Sequence, residues 1–498
     1  MNVNPITRLD YPDPDVIRVG DTYYMVSTTM HFMPGCEILQ SFDLVHWEHA
    51  TYVYETLDHT DAQQLKSGQN IYGQGMWAAS LRYHEGRFYI CFVANDTRKT
   101  YLYTSEKIDG PWKKQLIEGF YHDGSLLFDE DGRNYIVYGN DEIWITELNE
   151  DLTAPKKDGL HRLLVSDHKN PELGYEGSHI QKINGYYYIF LIHSLRDRWM
   201  RTEACFYSDS LEGEFTGGDV LCDDRGYCGQ GVAQGGIVDT PDGKWYAMLF
   251  QDSGAVGRIP ILVPVTWKDH FPVFGQNGHV PEEIEVHSTR PEYIYQPLVG
   301  SDDFCNGLLP RWQFNHDPDP RYYHLDALQG TYTITTREVC TELTQAVNTL
   351  TQRMSYPSCA AEVTVDASAL KEGDVAGLCA LQGCYAAVGI TKHHGKYEVL
   401  MLDKKEDGIL DMTERTVVES HQMDFRLEAD FCNMKDEARC YYRVNKGDWL
   451  PIGTVHKLYF KLDHFTGCRF GLFCYAAEET GGSACFRDFK YYDVDEIS

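Results

Sequence analysis

Hydrophobic alternation of period two is frequent along this chain, and long helical stripes are scarce, which predicts an all-β protein. One unit recurs: a short strand, a turn with glycine, then an aromatic-rich strand. It reads DPDVIRVGDTYYMVS from Asp13, WAASLRYHEGRFYICFV from Trp77, DGSLLFDEDGRNYIVYG from Asp123, EGSHIQKINGYYYIFLI from Glu176 and QGGIVDTPDGKWYAMLF from Gln234. Gly20, Gly86, Gly132, Gly185 and Gly243 mark the turns, where a positive φ suits a hairpin. A second motif follows three of the hairpins: SFDLVHW from Ser41, SEKIDGPW from Ser105 and SDSLEGEF from Ser208. Each reads as the end of an outer strand and a turn closed by an aromatic. Repeats at intervals of roughly 45–65 residues predict four-stranded blades, and five of them predict a five-bladed β-propeller. The alternative is a β-sandwich with coincidental hairpins.

The register of the repeats picks out candidate chemistry. Counting back from Tyr24, Tyr89, Tyr135, Tyr188 and Tyr246, each just after its turn, matching positions hold Asp13, Trp77, Asp123, Glu176 and Gln234. Pseudo-equivalent blades would set these five at the start of the innermost strands, around one mouth of the central channel. Three are carboxylates. Two carboxylates across a glycosidic bond are the minimal glycosidase machinery, and a third negative charge raises the acid's pKa. Trp77 offers a flat face for a sugar ring, and Gln234 a neutral hydrogen-bonding group. Taken singly, Asp13 between two prolines and Asp123 before glycine are ordinary turn residues. Three acids could also hold Ca²⁺.

These residues resemble glycoside hydrolase family 43, which includes β-xylosidases and α-L-arabinofuranosidases. The resemblance runs over about residues 4–295, from Asn4-Pro5 through Tyr11-Pro12-Asp13-Pro14, VGDTYY, HFMPG from His31, Asp43-Leu44-Val45-His46-Trp47, Trp77-Ala78-Ala79, the Asp123 segment and Tyr175-Glu176-Gly177-Ser178-His179 to VGRIPILVPVTW from Val256. It implies a five-bladed propeller and hydrolysis with inversion. By the same resemblance, Asp13 matches the general base, Glu176 the general acid, and Asp123 the carboxylate that tunes and orients the acid. Arg258 matches a substrate-contacting arginine, and Phe32 and Trp77 walls of the sugar subsite. Gln234 departs from the family, where a histidine often holds water or Ca²⁺ at the channel floor. Inversion needs room for a water, so the two carboxyl groups are expected about 6.5–9.5 Å apart.

Past Pro297 the propeller motifs stop and longer strands begin, such as CAAEVTVDAS, YAAVGITK and YEVLMLD, with His393-His394-Gly395-Lys396 as a hairpin tip. They predict a two-sheet β-sandwich. The domains are drawn at 1–296, a catalytic propeller, and 300–498, an accessory sandwich. Asp302-Asp303-Phe304, Trp312-Gln313-Phe314, the Glu372–Leu378 stretch and Phe486-Arg487-Asp488-Phe489 resemble the concanavalin-like sandwich that follows many family 43 domains. The resemblance implies that the sandwich packs on the propeller and helps wall an exo-acting pocket. It also implies Asp303 and Asp488 as candidate ligands of a structural Ca²⁺. No cofactor is expected for the catalysis.

Composition narrows the partners. With 75 acidic against 44 basic residues the net charge is −31, which argues against nucleic acid and against an anionic membrane surface. A small oligosaccharide fits better, and a homo-oligomer is allowed. The 15 cysteines show neither CxxC nor zinc spacing, MNVNPITRLDYPDPD shows no signal-peptide pattern, and apolar runs such as YYIFLI are too short to span a bilayer. The expectation is a cytoplasmic protein with reduced thiols. The rival readings are a non-catalytic carbohydrate-binding propeller and another five-bladed carbohydrate enzyme, a fructosidase or a glycoside phosphorylase. The fructosidase start Asn-Asp-Pro-Asn is absent, and the ring is acidic where a phosphorylase needs a basic phosphate pocket.

Overall fold

The computed structural model describes residues 3–493; the outermost ends of the two sequence-drawn domains, 1–2 and 494–498, lie outside the described residues. Five antiparallel four-stranded sheets form the blades of a propeller. Their innermost strands are Asp15–Val19, Met76–His84, Ser125–Phe128, Glu176–Ile183 and Ile237–Asp239. Each pairs with the aromatic-rich strand of its own hairpin.

Packing explains why these strands read as nearly continuous apolar runs. Each blade is covered on both faces, so both sets of alternating side chains are buried. In the strand Arg87–Ala94, Ile90 and Phe92 pack toward the first blade with Val26 and Ile38, while Cys91 packs toward the third with Leu126 and Ile136. In Tyr186–Ser194, Ile189 and Leu191 meet the third blade, and Tyr188 and Phe190 meet the fifth.

Polar contacts close the ring. The Asn4 side chain clamps Leu262 of the last blade, donating to its carbonyl and accepting from its amide, both at 2.8 Å. Arg18 of the first blade pairs with Asp239 of the last. Within the channel, Arg82 donates to Asp15, the Ser125 hydroxyl and the Leu126 and Ile180 carbonyls, so one guanidinium joins four blades. Asp15 also meets His179 Nδ1 at 3.1 Å.

The C-terminal part is a sandwich of an eight-stranded and a seven-stranded sheet. His393 and His394 sit at the hairpin between Tyr385–His393 and Lys396–Lys404, with Gly395 at φ 72°. The edge of the larger sheet comes from the propeller: Phe32–Met33 leaves the first blade and pairs with Gln313–Asn315. Buried polar groups tie the two parts further. Asp10 accepts from the amides of Arg258 and Gly467, both at 2.7 Å. Arg353 pairs with Glu37 at 2.8 Å and donates to the Asp10 carbonyl.

Candidate active site

The five register positions converge on one cavity of about 180 Å³ at the channel mouth, lined by Asp13, Trp77, Asp123, Glu176, Gln234 and Arg258 among others. The backbone reaches it in two ways. Asp13, Asp123 and Gln234 stand just before their inner strands in the left-handed region, at φ 53°, 48° and 62°. Side chains rarely adopt that conformation, and it clusters at functional sites. Glu176 is the first residue of its strand and Trp77 the second of its own, both where the pairing register slips. The five therefore converge as expected, with Glu176 at its strand's start, Trp77 one residue in, and Asp13, Asp123 and Gln234 two or three residues before theirs. After Glu176 the left-handed position passes to Gly177, at φ 64°. A Cβ there would meet the Gln234 side chain at 2.7 Å. Glycine thus lets the two blades close and sends its amide to Asp123 Oδ2 at 2.9 Å.

Both oxygens of Asp13 are held. Oδ1 accepts from Arg258 Nη1 at 2.6 Å, and Oδ2 accepts from the Thr28 hydroxyl at 2.5 Å. Arg258 is oriented in turn by Asp252, with Nε 3.2 Å from Oδ1, and its guanidinium lies 3.8 Å from the Phe465 ring centroid. The other Asp252 oxygen pairs with Arg201 Nε at 2.8 Å. Arg201 Nη1 is buried and has no hydrogen-bond partner among the described residues.

Glu176 Oε2 accepts from Asn140 Nδ2 at 2.7 Å. His122 Nε2 stands between two acids, 3.5 Å from Asp123 Oδ2 and 3.6 Å from Glu176 Oε2. Burial raises the Asp123 carboxyl to about 6; His122 opposes this, while Glu176 and Asp13 add to it. Burial disfavours the His122 imidazolium, but Asp123, Glu176 and Asp13 outweigh it and push His122 up to about 9. Burial also works to raise Glu176, yet His122, Arg201 and Arg258 together hold it below the usual range. The acid thus has a third carboxylate beside it as expected, but His122 lies between the two, and the direction differs: Asp123 is the carboxyl pushed up and Glu176 the one held down.

The sandwich supplies the roof. Leu462 and Phe465 line the cavity, and the Phe465 ring meets Trp77 edge-on at 5.3 Å between centroids. The loop that carries them is anchored by a buried ring cluster: His464 packs on His31, which packs on His316 and Tyr72.

Phe32 does not wall the cavity. It is buried in the strand joined to the sandwich, under the Arg469 guanidinium at 3.4 Å. Arg469 lies over its ring and His31 packs against it at 4.3 Å between centroids, which leaves no open face for a sugar.

Asp303 and Asp488 are both exposed. Asp303 accepts from the Cys305 amide, and the neighbouring Asp302 joins the first and last segments of the sandwich. The Asp302 amide donates to the Phe489 carbonyl at 2.9 Å, and its carboxylate accepts from Trp312 Nε1 at 2.8 Å. Among the described residues, three ligand-type side chains gather within 4.8 Å only at His122, Asp123 and Glu176. Arg201 and Arg258 act on Glu176 there, so a further cation would meet two guanidiniums. In the channel below, the positive charge is Arg82.

Sequence reasoning missed His122, Arg201, Trp199, Asn140, Leu462 and Phe465. Two signals were available. Arg201 and Arg258 each begin the third strand of their blade, Arg201–Ser208 and Arg258–Lys268, at matching pairs Ser194–Arg201 and Asp252–Arg258. His122 directly precedes Asp123.

A small pocket lined by two buried carboxylates, a third that is partly exposed, two arginines and two indoles fits a carbohydrate-cleaving site. The model of glycosyl hydrolases family 43 matches residues 3–272, and that of the beta xylosidase C-terminal concanavalin A-like domain matches residues 301–492. The chain belongs to glycoside hydrolase family 43 and is a glycoside hydrolase. It is 27% identical to a beta-xylosidase of Formosa agariphila, over 99% of this chain and 89% of that one. Among solved structures it resembles a bifunctional GH43-CE protein of Bacteroides eggerthii, at 42% identity and a TM-score of 0.92. The match covers 99% of this chain and 64% of that protein, so the chain spans just under two thirds of its length. A GH43 enzyme engineered to display endo-xylanase and exo-arabinofuranosidase activity matches at 27% identity and a TM-score of 0.89, over 99% of this chain and 100% of that one.

Proposed function

We propose that the protein is an inverting exo-glycosidase that releases a terminal pentose, β-D-xylose or α-L-arabinofuranose or both, from short plant-derived oligosaccharides. The observation that carries this is the cavity of about 180 Å³, with Asp13 and Glu176 among its lining and the sandwich closing it above. That volume lies below the ordinary range for drug-sized ligands and suits one sugar ring. The names of the relatives support a xyloside or an arabinofuranoside.

In the proposed reaction the Asp13 carboxylate takes a proton from water as the water oxygen bonds to the anomeric carbon. Glu176 gives a proton to the leaving oxygen as the glycosidic bond breaks. Thr28 and Arg258 aim Asp13 from both of its oxygens. Arg201 Nη1 is placed to donate to a sugar hydroxyl, and Trp77 and Trp199 offer ring faces to the sugar. These steps use side chains alone. A cytoplasmic location is part of the proposal, supported by 15 free cysteines. There the substrates would be imported short oligosaccharides.

The test is a panel of 4-nitrophenyl glycosides (β-D-xylopyranoside, α-L-arabinofuranoside, α-L-arabinopyranoside, β-D-galactopyranoside) with wild type and Asp13→Ala. Pentoside hydrolysis lost in Asp13→Ala is expected. No hydrolysis of any substrate would point to a sugar-binding propeller, and activity surviving Asp13→Ala would remove the base.

A further inference from the structure

His122 and Asp123 are titratable groups in the pocket that the proposed reaction leaves unused, and His122 stands between Asp123 and Glu176. Its placement is specific. Nε2 lies 3.6 Å from the oxygen of Glu176 that Asn140 also holds, and 3.5 Å from Asp123. The imidazole meets Trp77 edge-on, and the His122 carbonyl is fixed by the Gly139 amide at 3.0 Å. Asp123, Glu176 and Asp13 act on it as negative charges, and Arg201 and Arg258 act on Glu176 as positive ones.

We propose that His122 is a positioning residue that stores the acid's proton and passes it from Nε2 to Glu176 Oε2 when substrate fills the pocket. The inference rests on the glycosidase reading of this site. An imidazolium beside a carboxylate carries the same number of protons as a neutral imidazole beside a carboxylic acid. The resting pair therefore already holds the proton that cleavage needs, although Glu176 itself is held below the usual range. A bound sugar excludes water and disfavours the separated charges, which favours the neutral pair. The contact is long in the free pocket, as catalytic hydrogen bonds often are before substrate binds.

The step balances. The Nε2–H bond breaks as the Oε2–H bond forms. The Oε2–H bond then breaks as the leaving oxygen gains its proton. Asp13 gains one proton from the attacking water and later loses it to solvent, while His122 regains one from solvent. The pair keeps its proton up to about pH 9, where His122 loses its charge.

The experiment is the pH profile of kcat/KM for His122→Asn on an unactivated pentose oligosaccharide and on its 4-nitrophenyl counterpart, beside ¹⁵N NMR of the imidazole in wild type and Glu176→Gln. The alkaline limb on the oligosaccharide is expected to move toward acid by at least about one unit, a tenfold relative loss near pH 8, with a smaller effect on the 4-nitrophenyl substrate. A loss of equal size at every pH, as a structural role would give, overturns the proposal, and so does an unmoved limb. In the NMR arm, which holds even where His122→Asn fails to fold, His122 is expected to be cationic near pH 8 in wild type and to lose its proton at lower pH in Glu176→Gln. A neutral imidazole in wild type at neutral pH overturns it. Failure of wild type to cleave either substrate would defeat the glycosidase reading instead.

Discussion

Asp13 and Arg258 stand 245 residues apart, yet Arg258 Nη1 donates to Asp13 Oδ1 at 2.6 Å. Asp13 opens the first blade and Arg258 begins the third strand of the fifth. The contact that helps close the propeller thus also holds the proposed base.

Removing one partner of a buried pair leaves an uncompensated charge, at a cost of about 3–5 kcal/mol. Arg258→Met should lower stability by that order in urea unfolding and reduce kcat/KM on 4-nitrophenyl pentosides at least about a hundredfold. Asp13→Asn combined with Arg258→Met should recover part of the stability and none of the activity. Additive stability losses in the double variant would deny the pairing.

The roof makes a second prediction. Phe465 packs on both Arg258 and Trp77 from the sandwich side. Phe465→Ala should raise KM for the terminal sugar about ten- to thirtyfold, equivalent to losing up to about 2 kcal/mol of apolar burial between ring and sugar. Steady-state kinetics would check it. An unchanged KM would mean that the sandwich does not complete the subsite.

Acid stability tests the interface that holds the roof. Burial lowers His316 to about 3 and His464 to about 4, and drives His31 well below its usual value. Neighbouring histidines and Arg469 reinforce this for His31, while Asp463 opposes it for His464. The unfolded chain binds protons at these sites below about pH 6.5 and the folded chain does not. Stability is therefore full above that pH and falls as pH drops toward 4, by about 1.4 kcal/mol per unit for each histidine. Urea unfolding at pH 7 and pH 5 should show the loss, and His464→Asn should reduce the slope. A slope unchanged by His464→Asn would show that this histidine is not the source.

The propeller and its acids were legible because each blade repeats one burial pattern, and the register carries Asp13, Asp123 and Glu176 to one mouth. Phe32 misled because its strand leaves the blade to pair with Gln313–Asn315, a partner no local period reveals. Leu462 and Phe465 lie on a loop of the sandwich outside any repeat. His122 was hidden by its neighbour: an Asp-Gly turn explains the segment until the fold brings Glu176 beside it. Arg201 was readable by pseudo-symmetry with Arg258, because both start the third strand of a blade.

The most direct test of the account is the leaving-group dependence of Glu176→Gln. A group that protonates the leaving oxygen matters most where the leaving group is poor. The variant should lose about a hundredfold or more on an unactivated pentose oligosaccharide and far less on the 4-nitrophenyl pentoside. Equal losses on the two substrates would contradict Glu176 as the acid.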